Sequence, residues 1–319
     1  MGEILQVNNI ELWCEQFGDP SNETVLLIMG ANANCKQWDQ EFIDNLVSHN
    51  LHVVRFDNRD VGKSTWIGKE PTYMMFLKIL PSFLLKKIVN SIFGLAVDNE
   101  GKFKFNASAS VKYNLFDMAK DAISLMEALC IEKAHIIGAS MGGMITQIIA
   151  LEYPEKVMSI TPIMTSPGIQ NESLSGPTKD LLEAIKKSFI FNLKGRSEDG
   201  VVEIYRQLTG SRFPFNEQEF REKLKPIIAH GNNPFSLHGA AVGASPDRTS
   251  RLNEIDVPTL VIHGTEDAIL PLDHGIALAD GIRDSKRMIM EGVGHEIPLE
   301  LMSEIISAII ENIKSASKH

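Results

Sequence analysis

Gly138-Ala139-Ser140-Met141-Gly142 stands between an apolar run of strand length, Ala134 to Ile137, and a helical pattern, Met144 to Leu151. Small residues on both sides of the serine permit a strained turn that lifts its hydroxyl out of the backbone above a sheet edge. The helix that follows aims its N-terminus at the same spot, which favours negative charge on whatever the hydroxyl attacks. Gly243-Ala244-Ser245 repeats the first three letters, but it continues Pro246-Asp247, lacks the closing glycine and has no strand before it. Ser140, not Ser245, is therefore the nucleophile candidate.

The rest of the chain alternates in the same way. Val25 to Ile28 and Val53 to Phe56 are apolar or β-branched runs followed by turn residues, so each reads as a buried parallel strand. Gln40 to Ser48 reads as a helix between them, and Met118, Ala122, Leu125, Met126 and Leu129 place a helix over Phe116 to Leu129. The rhythm breaks from about Thr165 to Pro246, where helices are expected around Lys179 to Phe191 and Asn216 to His230. It resumes at Thr259 to Gly264 and Arg287 to Met290, before an amphipathic helix from about Leu299 to Ile313. These units predict an α/β fold: a mostly parallel central sheet with helices on both faces and ligand sites at the carboxyl ends of the strands. Residues 1–164 and 247–319 would form the core, with an apolar insertion at about 66–112, and residues 165–246 an inserted helical cap.

The chain has 319 residues and a net charge of −10, which opposes binding to phosphate backbones, so nucleic acid is not an expected partner. Three unpaired cysteines, Cys14, Cys35 and Cys130, and a start without a basic and apolar signal pattern make a reducing cytoplasm the simplest expectation. Three matches to glycosylation acceptors, at Asn22, Asn106 and Asn171, carry no weight in that setting. Met74 to Val97 is rich in Met, Phe, Leu and Ile, yet Lys78, Pro81, Lys86 and Lys87 interrupt it, which argues against a transmembrane segment. Beyond Pro81, residues Leu84, Leu85, Ile88, Val89 and Ile92 form one helical stripe with Lys86, Lys87, Asn90 and Ser91 opposite. The stripe suits packing on the core or cap; the alternatives are a lid over an apolar acyl pocket and peripheral contact with a membrane surface. Oligomeric state is not legible.

A serine hydroxyl is a weak nucleophile until a base takes its proton and a third group orients that base. His295 alone among the histidines follows a glycine-flanked turn, Gly292-Val293-Gly294, directly after a predicted strand. His49, His52, His135, His230, His238, His274 and His319 read as surface or satisfied core residues. Asp267 follows the strand ending at His263-Gly264, leaving room for one helix and one strand before His295. Glu266 and Asp273 compete with it for the orienting role. Charge developing on a carbonyl oxygen needs fixed donors: the Met141 N–H at the helix start is one, and the Ala31 N–H in Met29-Gly30-Ala31-Asn32 is the second. Gly62-Lys63-Ser64 does not complete a phosphate-binding loop, because position 57 is aspartate rather than glycine. No cysteine and histidine spacing or carboxylate cluster suggests a metal, and the chemistry needs water but no cofactor.

Met29-Gly30, Asp57-Asn58-Arg59-Asp60-Val61-Gly62-Lys63-Ser64, the serine elbow, Pro258 to Asp267 and Gly292 to His295 together resemble the α/β-hydrolase superfamily. The similarity is strongest to its aclacinomycin methylesterase-like and proline iminopeptidase-like branch, and it extends over most of the chain. The resemblance implies Ser140 as nucleophile, His295 as base, Asp267 as orienting acid, and Ala31 and Met141 as backbone oxyanion donors. It implies a serine hydrolase acting on small carboxylic esters with apolar acyl or alcohol groups through an acyl-enzyme. The same triad also serves thioesterases, peptidases and C–C bond hydrolases, and a non-catalytic ligand-binding homologue would keep the pocket. Two features depart from the family's pattern: Met29-Gly30 stands where His-Gly is usual, and Tyr73 to Ala107 is a longer insertion.

Overall fold

Asn8 and Asn9 both take positive φ, 44° and 63°, the backbone twist of a two-residue hairpin turn. They join β1 (Glu3–Val7) to β2 (Ile10–Phe17) in an antiparallel pair. Sequence analysis had not anticipated this hairpin. It precedes the parallel strands β3 (Thr24–Ile28), β4 (His52–Phe56), β5 (Ala134–Ala139), β6 (Val157–Ile163), β7 (Leu260–Gly264) and β8 (Lys286–Met290). The computed structural model, which describes residues 2–98, 100–104 and 111–316, sets all eight in one sheet ordered β1-β2-β4-β3-β5-β6-β7-β8. The acceptor match at Asn106, His319 and part of the 66–112 insertion lie outside the described residues.

Strands β3, β4 and β5 are buried along their whole length, because helices cover both faces of the sheet. Alternate residues feed two cores. Leu26, Ile28, Val54 and Ile136 meet α4 (Leu115–Ala128), α5 (Met141–Glu152) and α10 (Leu272–Gly281). Val25, Leu27, Val53 and Ile137 meet α1 (Gln40–Ser48) and α11 (Met302–Ala316) on the other side. Asn114 starts α4 with a capping box closed by Asp117, which satisfies donors the first turn leaves open. Asn312 of α11 donates to the Ile160 carbonyl at 3.0 Å.

The predicted helices and parallel strands are present with ends shifted by a few residues. The 74–97 stretch forms two helices, α2 (Met74–Ile79) and α3 (Ser82–Ala96), divided at Pro81, as a proline's fixed φ and missing N–H dictate. Their inner side, Met74 and Leu85 with Leu77 and Leu80 beside them, packs against Leu193 at the end of α6 (Lys179–Leu193). The expected stripe is only half inward: Leu85 and Val89 are buried, whereas Leu84 and Ile92 are exposed. Between β6 and β7 the chain runs through α6, α7 (Ser197–Leu208), α8 (Glu217–His230) and α9 (His238–Ala244). No described helix is long and apolar enough to cross a membrane.

Gly142 lets α5 touch the end of β3, since a Cβ there would overlap the Ile28 carbonyl oxygen and approach Met29 O at 3.0 Å. Gly142→Ala is expected to cost about 1–3 kcal/mol by overpacking against backbone. The loss should appear as a lower urea midpoint at unchanged slope; an unchanged midpoint would show that β3 and α5 separate freely.

Candidate active site

Ser140 joins β5 to α5 with φ 54° and ψ −119°, a region that L-residues avoid unless their surroundings enforce it. Hydrogen bonds on both sides of the residue do so. Its N–H donates to Ile163 O at 2.9 Å, and its carbonyl accepts from Gly143 N–H at 2.9 Å and from the Thr165 hydroxyl at 2.7 Å. The result is a half-buried hydroxyl at the carboxyl edge of the sheet. Met141 opens α5, so its N–H belongs to the first helical turn, where no intrahelical acceptor exists. Ser245, the decoy, is a buried structural residue: its hydroxyl donates to Ala241 O at 2.8 Å.

Asp267 and His295 meet across the ends of β7 and β8, with His295 Nδ1–H donating to Asp267 Oδ2 at 2.6 Å. The other carboxylate oxygen accepts the N–H groups of Ile269 and Leu270 at 2.9 and 2.8 Å. Burial alone would push this carboxyl up, but His295, His263 and the Leu270 N–H together hold it below the usual carboxylate range. The competitors face elsewhere. Glu266 accepts the N–H and hydroxyl of Ser211, each at 2.7 Å, and Asp273 accepts the Ser175 N–H at 2.7 Å. The His295 N–H donates to Leu208 O at 2.7 Å, so the end of α7 fixes this loop. Among the described residues the Ser140 hydroxyl has no hydrogen-bond partner, and no bond joins it to His295.

The loop after β3 touches the serine directly, for a Cβ on Gly30 would lie 3.1 Å from Ser140 Cβ and 3.6 Å from its Oγ. Two side chains clamp the loop that carries Ala31. Asn58 Nδ2 donates to Met29 O at 2.9 Å. His238 Nδ1 accepts the Asn32 N–H at 2.9 Å while its Nε2–H donates to Arg59 O at 2.6 Å. This pairing requires the neutral Nε2–H tautomer, and burial, foremost among its causes, draws the His238 pKa down to about 4.

Sequence analysis missed these helpers. Asn58 sits inside a quoted motif without a role, and His238, placed among the surface or satisfied core histidines, is a core residue that holds the loop. His263 was missed too: its Nε2–H donates to Leu270 O at 2.7 Å and lies 3.5 Å from Asp267 Oδ2, bracing the acid's turn. Asn58 and His238 reach their partners across distant segments, which no spacing in the chain marks, whereas His263 acts on residues four and seven positions ahead of it.

Cys35, Asp57 and His230 place potential metal-ligand atoms within 4.8 Å of one another. Their existing bonds describe a clamp instead. Asp57 accepts Cys35 N–H and Lys63 N–H, both at 2.9 Å, and pairs with His230 Nε2 at 2.7 Å. Burial, followed by the charge of Asp57, pushes the Cys35 thiol well above its usual range, and this opposes the thiolate that a metal needs.

Protonating His238 abolishes its acceptor and releases the Asn32 N–H. The folded chain keeps this group neutral down to about pH 4, while in the unfolded chain it titrates near its ordinary value of about 6.5. Its stabilising contribution is thus complete above the unfolded value and declines as pH falls towards the folded one. His238→Ala should flatten this part of the stability–pH curve; an acid limb identical to that of the natural chain would disprove the assignment.

A sequence model of the alpha/beta hydrolase fold matches residues 23–300. The chain is 25% identical over 335 residues to rhodomycin D methylesterase DauP of Streptomyces sp. (strain C5), covering 98% of each protein. It is 32% identical over 204 residues to the 2-hydroxy-6-oxo-6-phenylhexa-2,4-dienoate hydrolase of Comamonas testosteroni, across 61% of this chain and 68% of that one. Among solved structures, the esterase EaEST from Exiguobacterium antarcticum shares the fold with a TM-score of 0.70 at 18% identity, covering 98% of this chain and 100% of that chain. With the match reaching from β3 to the turn before α11, the chain belongs to the alpha/beta hydrolase fold family.

Proposed function

We propose that the chain is a carboxylic ester hydrolase in which Ser140 is the nucleophile, His295 the base and Asp267 its orienting acid. The 2.6 Å bond from His295 Nδ1–H to Asp267 carries this reading. It fixes the tautomer that leaves Nε2 as the proton acceptor, and it stabilises the imidazolium that forms when the serine is deprotonated. Ser140 Oγ attacks the ester carbonyl as its proton moves to His295 Nε2. The tetrahedral oxyanion is received by the N–H groups of Ala31 and Met141, and collapse expels the alcohol with the proton returned from His295. Water, activated by the same imidazole, then hydrolyses the acyl-enzyme and frees the acid. The bond between Ser140 and His295 forms in the substrate complex, since catalytic hydrogen bonds commonly tighten only there.

The neighbouring geometry supports this assignment. Gly30 brings the Ala31 loop against the serine, and each oxyanion donor is worth about 2.7–4 kcal/mol of transition-state stabilisation. Residues 165–246 act as the cap that covers the site, with α7 and the 211 loop touching the His295 and Glu266 turns. The full-length likeness to a methylesterase favours a methyl or other small alkyl ester of a lipophilic acid. A second reading, hydrolysis of an oxo-dienoate, follows from the Comamonas relative and uses the same serine and histidine.

Turnover of a graded panel of alkyl and p-nitrophenyl esters, run beside an oxo-dienoate, separates the two readings. Ester turnover is expected, and Ser140→Ala should reduce it to background; unchanged turnover in that variant, or none with any ester, overturns the proposal. Asp267→Asn should lower kcat by about 10⁴-fold through loss of the correct tautomer, with stoichiometric labelling by a serine-reactive phosphonate slowed in parallel. A near-normal rate would remove Asp267 from the mechanism.

A further inference from the structure

Helices α2 and α3 are apolar on both sides, and the fold satisfies only one of them. Their inner side rests on α6. Outward, Tyr73, Met75, Phe76, Ile79, Phe83 and Leu95 all stand in solvent, with Ile79 and Leu95 each 79% exposed. Nine of the eleven large apolar side chains exposed among the described residues fall between Trp66 and Leu95, so the feature is one concentrated patch rather than ordinary scatter.

The charge of this patch opposes that of the molecule. The chain carries −10 overall, yet residues 66–97 hold four lysines against one glutamate. Lys78 pairs with Glu70, whereas Lys69, Lys86 and Lys87 are exposed and make no ion pair among the described residues. On α3, Lys87 lies one helical turn from both Phe83 and Leu84, on the outward face. A second copy of the chain seated here would bring these cations against their own equivalents. An anionic bilayer would neutralise them while its interface takes up the aromatic and aliphatic side chains.

We propose that the outer face of α2 and α3 is a docking surface for membranes containing anionic lipid, which hold the enzyme at the interface without any spanning segment. Apolar side chains enter the headgroup–acyl boundary, and the lysines keep their ammonium groups at phosphate level. The acidic remainder of the molecule is repelled by the same charge, which restricts the bound orientation to this face.

Co-sedimentation of the full chain with vesicles of phosphatidylcholine, alone or mixed with phosphatidylserine, tests the proposal. Binding is expected on the mixed vesicles, weakened by salt and retained by Ser140→Ala. The triple substitution Ile79→Ser, Phe83→Ser, Leu95→Ser and the pair Lys86→Glu, Lys87→Glu should each lower partitioning to mixed vesicles by at least about tenfold. Neither should change turnover of a soluble short-chain ester, which serves as the check on folding. Absent sedimentation, undiminished sedimentation of both variants, or equal binding to the uncharged vesicles overturns the proposal. So does light scattering that finds a dimer dispersed by the triple substitution, since a second copy would then cover the face.

Discussion

Four consecutive polar side chains, Asp57 to Asp60, leave the end of β4 and turn inward, and several segments near the site are tied to them. Asp57 holds the Cys35 turn and the end of α8. Asn58 holds the loop beside Ser140, and Arg59 makes a two-bond ion pair with Asp121 of α4 at 2.6 and 2.7 Å. Asp60 accepts from Gly68 N–H, Tyr113 Oη–H and Leu237 N–H. Buried polar groups are costly unless paired, and a network in which each member is satisfied specifies one arrangement over its neighbours. This fan therefore fixes the end of α8 and the start of α9 against the strands' carboxyl ends.

The electrostatics of the site are arranged by exclusion. His238 and His263 are both buried, and burial is the leading reason that each titrates below its ordinary range. They orient loops as neutral groups. Asp267 keeps its charge in the same surroundings because two backbone N–H groups and the His295 imidazole face it. The negative charge of Asp267 thus faces the His295 ring.

Alternation of strand and helix was legible in the sequence where apolar residues run together, as in Ala134–Ile137, or recur on one face, as in Gln40–Ser48. The hairpin at Asn8-Asn9 was not, because its strands are half exposed. Helix α7 escaped notice since Gly200 and its many charged residues leave it with few apolar positions. The elbow and the Asp267–His295 pair could be read because each is announced by a strand end and a glycine turn. Their supporting side chains could not: Asn58 and His238 act through contacts made only after distant segments come together, and His263 braces the turn after its own strand with no motif to mark it. The inward stripe of α3 was overestimated for a related reason, as periodicity reports an apolar side without saying what covers it.

Strands β6 and β7 are neighbours in the sheet but lie on either side of helices α6 to α9, and their backbones meet through Ile160, Met164, Pro258 and Ile262. During synthesis the first six strands and their helices leave the ribosome while the outer edge of β6 still lacks its partner. An unpaired, buried-type edge invites adhesion to other strands. The order of translation thus imposes a waiting period on this protein, which ends only when Leu260–Gly264 arrives to pair with β6.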